Sequence, residues 1–300
     1  MLERFKVPED IAVRVDQAVM RQAVEDIFKA FDMPEEEAEA SADVLIYADI
    51  RGIDSHGVSN MMRAYVAGFR AEQINPAPSA RRERETLGAI SYDCDNGLGI
   101  AQSRAFMEEA CERAKETGVA VVTAYNGQHY GPSAYYAHQA LAHDMIGISM
   151  TTGGLLVTPT QGAERLLGLN PIGIAAPSDV EVPFIFDASM SSVAANKIQL
   201  LRRVDGNVAP GWISDAEGTP VMEESAVLDG FMMLPLGGTR EIGSHKGFGL
   251  AMLVEILCGV LTGTGGGPFR RQNVAHYFMA YDVGAFCDVA VFKKDMDEYL

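Results

Sequence analysis

From about Ala101 to Thr117 the sequence carries a helical pattern that stops at Gly118, and the β-branched run "VAVVTAYN" of a buried strand follows at once. The same step recurs when "YYAHQALAHD" reads as helix and "MIGISMTT" as strand. Helices that feed strands at such short intervals restrict the chain to an α/β architecture, in which ligands collect where strands end. "NPIGIAAP" and "VPFIFDAS" add two short strands bounded by turn residues, and "HYFMAYDV" is a further candidate. Polar, glycine-rich sequence from Asp205 to Gly218 reads as a surface excursion.

The first part of the chain is helical from Val13 to about Tyr47. Acidic Glu35, Glu36 and Glu37 open its second helix, Gly52 closes it, and another helix spans Asn60 to Phe69. This predicts a helical lobe over residues 1–75 and an α/β body over 76–300. Near the C-terminal end, "GFGLAMLVEILCGVL" is shorter than the roughly 20 residues that cross a bilayer and contains Glu255, so it reads as a buried helix. The first residues include Glu3, Arg4, Lys6, Glu9 and Asp10 and leave no apolar core for a signal peptide. Cys94, Cys111, Cys258 and Cys287 form no CxxC pair, which argues against a disulfide framework or zinc ribbon and predicts a reducing, cytoplasmic location. With 24 basic against 41 acidic residues, a net charge of -17, nucleic acid is an unfavourable partner. A small anion is not excluded, because one arginine or lysine outweighs a diffuse field at contact distance.

Four short motifs stand out. "RGIDSHG", at a helix exit, is either a polar turn satisfied by Asp54 and Ser55 or a convergent site. His129 sits in a glycine-flanked loop directly after the strand "VAVVTAYN", where it is either a turn residue or a ligand-facing one. Asp187 ends another strand in "FDASMSS" and either caps the next helix or stands in a site with a shifted pKa. In "GSHKGFG", Ser244 or His245 caps a long helix, or Lys246 and free amides hold an anion. No G-x-G-x-x-G fingerprint, P-loop or HExxH is present, and the six histidines show no zinc-ligand spacing, so no metal is expected.

Taken in order, "ADIRGIDSHGVSNMMRAY", "NGQHYGPSAYYA", "GLNPIGIAAP", "FDASMSSVAANKI", "MLPLGG" and "SHKGFGLAMLVEILCGVLTG" resemble the type-2 malate/L-lactate dehydrogenase family. The resemblance implies that family's own non-Rossmann NAD(P)-binding fold, a helical N-terminal lobe, NAD or NADP as cofactor, and a homodimer. It further implies hydride transfer between nicotinamide and a small anionic 2-hydroxy or 2-oxo carboxylate. A reductase of a cyclic 2-imino carboxylate and a catalytically silent ligand-binding member are the alternatives. By the same resemblance Arg51 clamps the substrate carboxylate. The proton-handling group is His129 in one branch of the family and His56, supported by Ser55 and Asp187, in another. Gly153, Asp187, Ala188, Ser189 and Lys246, with His129, fall where relatives contact the dinucleotide. Four positions depart from the family pattern: Leu169 and Met190 replace threonines, while Asn196 and Gln161 replace glycines. The chain also stops at "FKKDMDEYL", where relatives continue for several dozen residues.

Overall fold

The computed structural model of the protein describes Phe5 and residues 7–300. Its first helices are α1 (Gln17–Lys29), α2 (Glu35–Ile50) and α3 (Val58–Arg70). Asp16 caps α1 by accepting the amides of Ala18 and Val19, and the three glutamates fall in the first turn of α2 as expected. Gly52, at φ +68°, takes the left-handed conformation that ends α2.

The rest of the chain runs through β1 (Arg81–Glu85), β2 (Ala89–Asp93), α4 (Gly99–Thr117), β3 (Val119–Gly127), α5 (Ser133–Gln139), β4 (Met145–Thr151), β5 (Ile172–Ala176) and β6 (Phe184–Ala188). After these come α6 (Ala195–Arg203), β7 (Ile213–Ser214), β8 (Met232–Met233), α7 (Ser244–Glu255), β9 (Val274–Asp282) and α8 (Val289–Tyr299). One seven-stranded sheet has the order β1-β2-β3-β9-β4-β5-β6. The α/β reading holds, but among the described residues only β2 and β3, linked by α4, are parallel neighbours in this sheet.

These pairings place the site. Because β9 is antiparallel to both β3 and β4, and β5 to both β4 and β6, the strands β3, β4 and β6 point the same way. Ala124 pairs with His276 and His276 with Thr151, while Met150 pairs with Ile172 and Ile172 with Ala188. His129, Gly153 and Ser189 therefore all leave the sheet at one edge, on strands spaced two apart, or about 10 Å.

A first apolar cluster runs from Val24, Phe28 and Leu45 of the helical segment through Ile90 and Met107 to Phe278. It thus continues across position 75. A second cluster joins Val157, Leu167, Met190, Ile198, Leu201 and Ile213.

The structure adds one strand pair for which the sequence carried no expectation and corrects several other readings. The pair β1–β2 lacks the alternation that announces strands, since every residue of "RRERE" is exposed; it is held instead by pairs such as Arg81 to Asp93 at 2.8 Å. Residues 205–218 are not a plain surface excursion, because Val208 and Ile213 are fully buried and β7 pairs with β8. The C-terminal apolar helix begins at Ser244 and widens into a π turn over Ile256–Val260. It is buried on one face only: Ala251, Val254 and Cys258 are inaccessible, whereas Leu250, Leu253, Ile256, Val260 and Leu261 are 41 to 60% exposed. Among the described residues no helix is long and apolar enough to cross a membrane.

Candidate active site

The "RGIDSHG" segment is built by its own neighbours. Asp49, at the end of α2, accepts the Val58 amide through Oδ2 at 3.1 Å and so caps α3 from across the loop. Its Oδ1 fills the space where a Cβ on residue 57 would stand, at 1.7 Å, so a side chain there would push the Asp49 carboxylate out of this capping position. The bend turns Ser55 inward. Ser55 is 4% exposed, and its Oγ lies 2.8 Å from Nδ1 of His56. Its carbonyl accepts from the Asn60 and Asn196 carboxamides, each at 2.8 Å. An exposed polar turn is therefore not what this motif forms.

His129, on the loop after β3, stacks on His56 with ring centroids 5.4 Å apart and planes 15° apart. The phenol of Tyr65, on α3, lies 2.7 Å from His129 Nδ1, and the Gly131 amide donates to the same nitrogen at 3.3 Å. A backbone amide can only donate, and burial raises the Tyr65 pKa so that the phenol keeps its proton. Nδ1 is then an acceptor in the neutral ring, so Nε2 carries the hydrogen. Burial lowers the His129 pKa to about 3, with His56 and His276 adding to the effect. Burial, followed by the charge of Lys197, lowers that of His56 to about 4. Both rings are neutral at pH 7. Both residues are partly exposed, although their rings are closely surrounded by protein.

Asp187 behaves similarly: the residue surface is open, yet crowding around its carboxyl raises the pKa to about 6. Its Oδ2 accepts the Ala134 amide at 2.8 Å, so it supports the first turn of α5 and does not cap the helix that follows it in sequence. The guanidinium of Arg51 lies over the Tyr47 ring at 3.7 Å, and Tyr47 feels the charges of both Arg51 and Asp187. The structure thus forms two neighbourhoods, Ser55–His56–His129–Tyr65 and Arg51–Tyr47–Asp187.

Gly153 follows β4, and both of its peptide groups are engaged: its amide donates to Asn170 Oδ1 at 3.1 Å and its carbonyl accepts from Arg270 at 2.9 Å. The adjoining Gly154 borders open space, with nothing within 4 Å of a Cβ built there. Ala188 and Ser189 lie two strands away at the same sheet edge, partly open, and Lys246 is exposed in the first turn of α7. Room beside a side-chain-free turn, a hydroxyl and an exposed cation at a helix start suit a dinucleotide. Free amides at α7 are fewer than expected, because Ser244 and Lys246 donate to Thr239 and Gly243. Neither Ser244 nor His245 caps that helix: the N-cap is Gly243, the Ser244 hydroxyl pairs with Thr160, and His245 with Arg240.

Sequence reasoning missed Tyr65, Asn60, Asn170, Glu255 and Arg270. Tyr65 had one weak signal, a tyrosine on the buried face of the helix after the motif. The others had none. The departures at 169 and 190 are neighbours in space: the Met190 amide donates to the Leu169 carbonyl at 2.7 Å, and both side chains join the second apolar cluster.

Comparison with known proteins agrees with this architecture. The description of the malate/L-lactate dehydrogenase family matches residues 15–300. Malate dehydrogenase of Pyrococcus horikoshii is 37% identical over 100% of this chain and 84% of its own. L-sulfolactate dehydrogenase of Methanocaldococcus jannaschii is 33% identical over 93% of this chain and 81% of its own. The crystal structure of malate dehydrogenase from Entamoeba histolytica superposes with a TM-score of 0.90 at 29% identity, covering 96% of this chain and 83% of that one.

Proposed function

Because the chain belongs to the malate/L-lactate dehydrogenase family, we propose that it is an NAD(P)-dependent oxidoreductase interconverting a small 2-hydroxy acid and its 2-oxo acid, with malate-like acids as the substrate class. The observation that carries the reading is the His129 imidazole, held by Tyr65 and Gly131 so that Nε2 is free for proton exchange at the sheet edge where Gly153, Asp187 and Ser189 also emerge.

Bound along Gly153, Asp187, Ala188, Ser189 and Lys246, a reduced nicotinamide dinucleotide supplies the hydride. The chain's own work is to orient the substrate and handle one proton. Arg51 is exposed, planar and always charged, which suits a carboxylate through two parallel hydrogen bonds. His129 offers Nε2–H to the carbonyl oxygen. An anionic substrate beside the stacked histidines favours their protonated form and raises the low pKa of the free protein toward working range. The imidazolium carries a hydrogen on each nitrogen, so in that state Nδ1–H donates to the Tyr65 oxygen, with the phenol hydrogen turned away and the longer Gly131 contact given up. The ring left after Nε2 releases its proton is the Nδ1–H tautomer, and the same tautomer takes the proton back at Nε2 in the oxidative direction.

A second reading keeps His56 as the donor and a cyclic 2-imino carboxylate as the substrate; its support is the Ser55–His56 hydrogen bond. The hydrogen bonds of Asp187 run to α5 and lend it nothing.

We also assign residues 1–75 to a lobe carrying the "RGIDSHG" motif and 76–300 to the cofactor-binding body. The exposed apolar face of α7 supports a homodimer, and the unpaired cysteines support a reducing, cytoplasmic setting.

The test is oxidation of NADH or NADPH, followed by absorbance, with oxaloacetate, pyruvate, sulfopyruvate and a cyclic imino acid. Turnover is expected with the 2-oxo acids. Cofactor binding without turnover of any of them would make the chain a silent member.

A further inference from the structure

The carbonyl of Ser55 is buried beside the histidine pair and is met from two directions. Asn60 reaches it from α3 and Asn196 from the first turn of α6. The orientation of Asn60 is not arbitrary, because Arg203 donates to its Oδ1 at 2.7 Å and arginine has no acceptor, so the amide nitrogen must face Ser55. Arg203 closes α6 and Asn196 opens it. Both ends of one helix of the body therefore grip the same turn of the helical segment. Asn196 also packs its amide against the Met61 sulfur, and Lys197, the next residue, is the cation that helps keep His56 neutral.

We infer that Asn196 is a positioning residue of the reaction: with Asn60, set by Arg203, it saturates the Ser55 carbonyl and holds the Ser55–His56 pair in its stack against His129. The inference rests on the dehydrogenase reading for its effect on rate. A carbonyl accepts two hydrogen bonds, and here the two donors come from different parts of the fold, so the turn is fixed relative to the sheet edge and not merely within its own helix. Removing one donor frees the loop by a fraction of an ångström, which is enough to disturb a proton-transfer geometry.

The variants are Asn196→Gly, Asn196→Asp and Asn60→Ala. Asn196→Gly should fold with little change in Tm, bind NADH within about twofold of wild type, and lose roughly ten- to hundredfold in kcat. Asn196→Asp carries the diagnostic, because an ionised carboxylate faces the Ser55 carbonyl acceptor to acceptor. It should be slower than Asn196→Gly at pH 8 and recover relative to it as the pH falls and the carboxyl regains a donor hydrogen. The ring resonances of His56, assigned with His56→Gln, should shift in Asn196→Gly and Asn60→Ala even without substrate, so the inference stands or falls separately from the activity. If wild type turns over but the glycine and aspartate variants keep its kcat at every pH and leave the His56 resonances in place, Asn196 positions nothing. Absence of wild-type turnover with shifted resonances would overturn the functional reading and keep the positioning.

Discussion

The phenol oxygen of Tyr65 lies 2.7 Å from Nδ1 of His129, a residue 64 positions later in the chain. Together with the Gly131 amide, which can only donate, this contact makes Nδ1 the acceptor of the neutral ring and leaves Nε2 for chemistry. Tyr65→Phe keeps the buried ring and removes only the hydroxyl, leaving the Gly131 amide as the donor to Nδ1. We expect kcat to fall by about tenfold, the scale of one hydrogen bond, with NADH affinity unchanged. Unaltered kcat would mean that the tautomer is not set by Tyr65.

The two stacked histidines divide the labour, and single substitutions separate them. His129→Ala should lower kcat by about 10² to 10⁴-fold, the usual contribution of general acid–base catalysis, whereas His56→Ala should mainly raise KM. An inverted pattern, with Ser55→Ala sharing the kcat loss, would move the proton to His56 and favour the imine substrate. Wild-type rates in both would remove each from the chemistry.

Asp187 should make the protein less stable as the pH rises. Its folded pKa of about 6 exceeds the ordinary 3.8, so the unfolded chain loses this proton first. Both states hold the proton below about pH 4 and no penalty exists there; the penalty grows between the two pKa values and is complete above the folded one. Thermal melts of Asp187→Asn should show a higher Tm than wild type at pH 8 and no gain at pH 3.5. An equal gain at both would locate the effect elsewhere.

Glu255 and Arg270 form an ion pair at 2.8 Å with side chains only 5% and 11% exposed, and the pair braces the Gly153 turn through Asn170 and the Arg270–Gly153 bond. Arg270→Met leaves a buried carboxylate without its partner and should cost about 3–5 kcal/mol of stability together with dinucleotide affinity. The double variant with Glu255→Leu should recover much of the stability but not the affinity, as chemical denaturation and NADH titration would show. Intact affinity in the double variant would dissociate this pair from the cofactor turn.

The exposed face of α7 should be covered by a second copy of the chain. Leu253→Glu combined with Ile256→Glu places two charges on that face and should convert a dimer into a monomer by light scattering. Wild-type protein that is already monomeric at micromolar concentration would end the proposal.

The sequence by itself determined the local order of this protein. The helix–strand steps, the left-handed stop at Gly52 and the acidic start of α2 are set by side-chain period and backbone preference within a few residues, and each is legible in the sequence. The ordered motifs likewise announced the family, together with His56, His129, Asp187 and Gly153 as candidates. Tertiary structure alone decided what those candidates touch. Strand order brought β3, β4 and β6 out at one edge by inserting β9 and β5 between them, an arrangement of hydrogen-bond partners far apart in sequence that no local pattern encodes. The same distance hid Tyr65 from His129 and Asn196 from Ser55, assigned Asp187 to α5 instead of the next helix, and left half of the apolar α7 in solvent. Period and propensity act along the chain, whereas a hydrogen bond between side chains depends on where two elements finally pack.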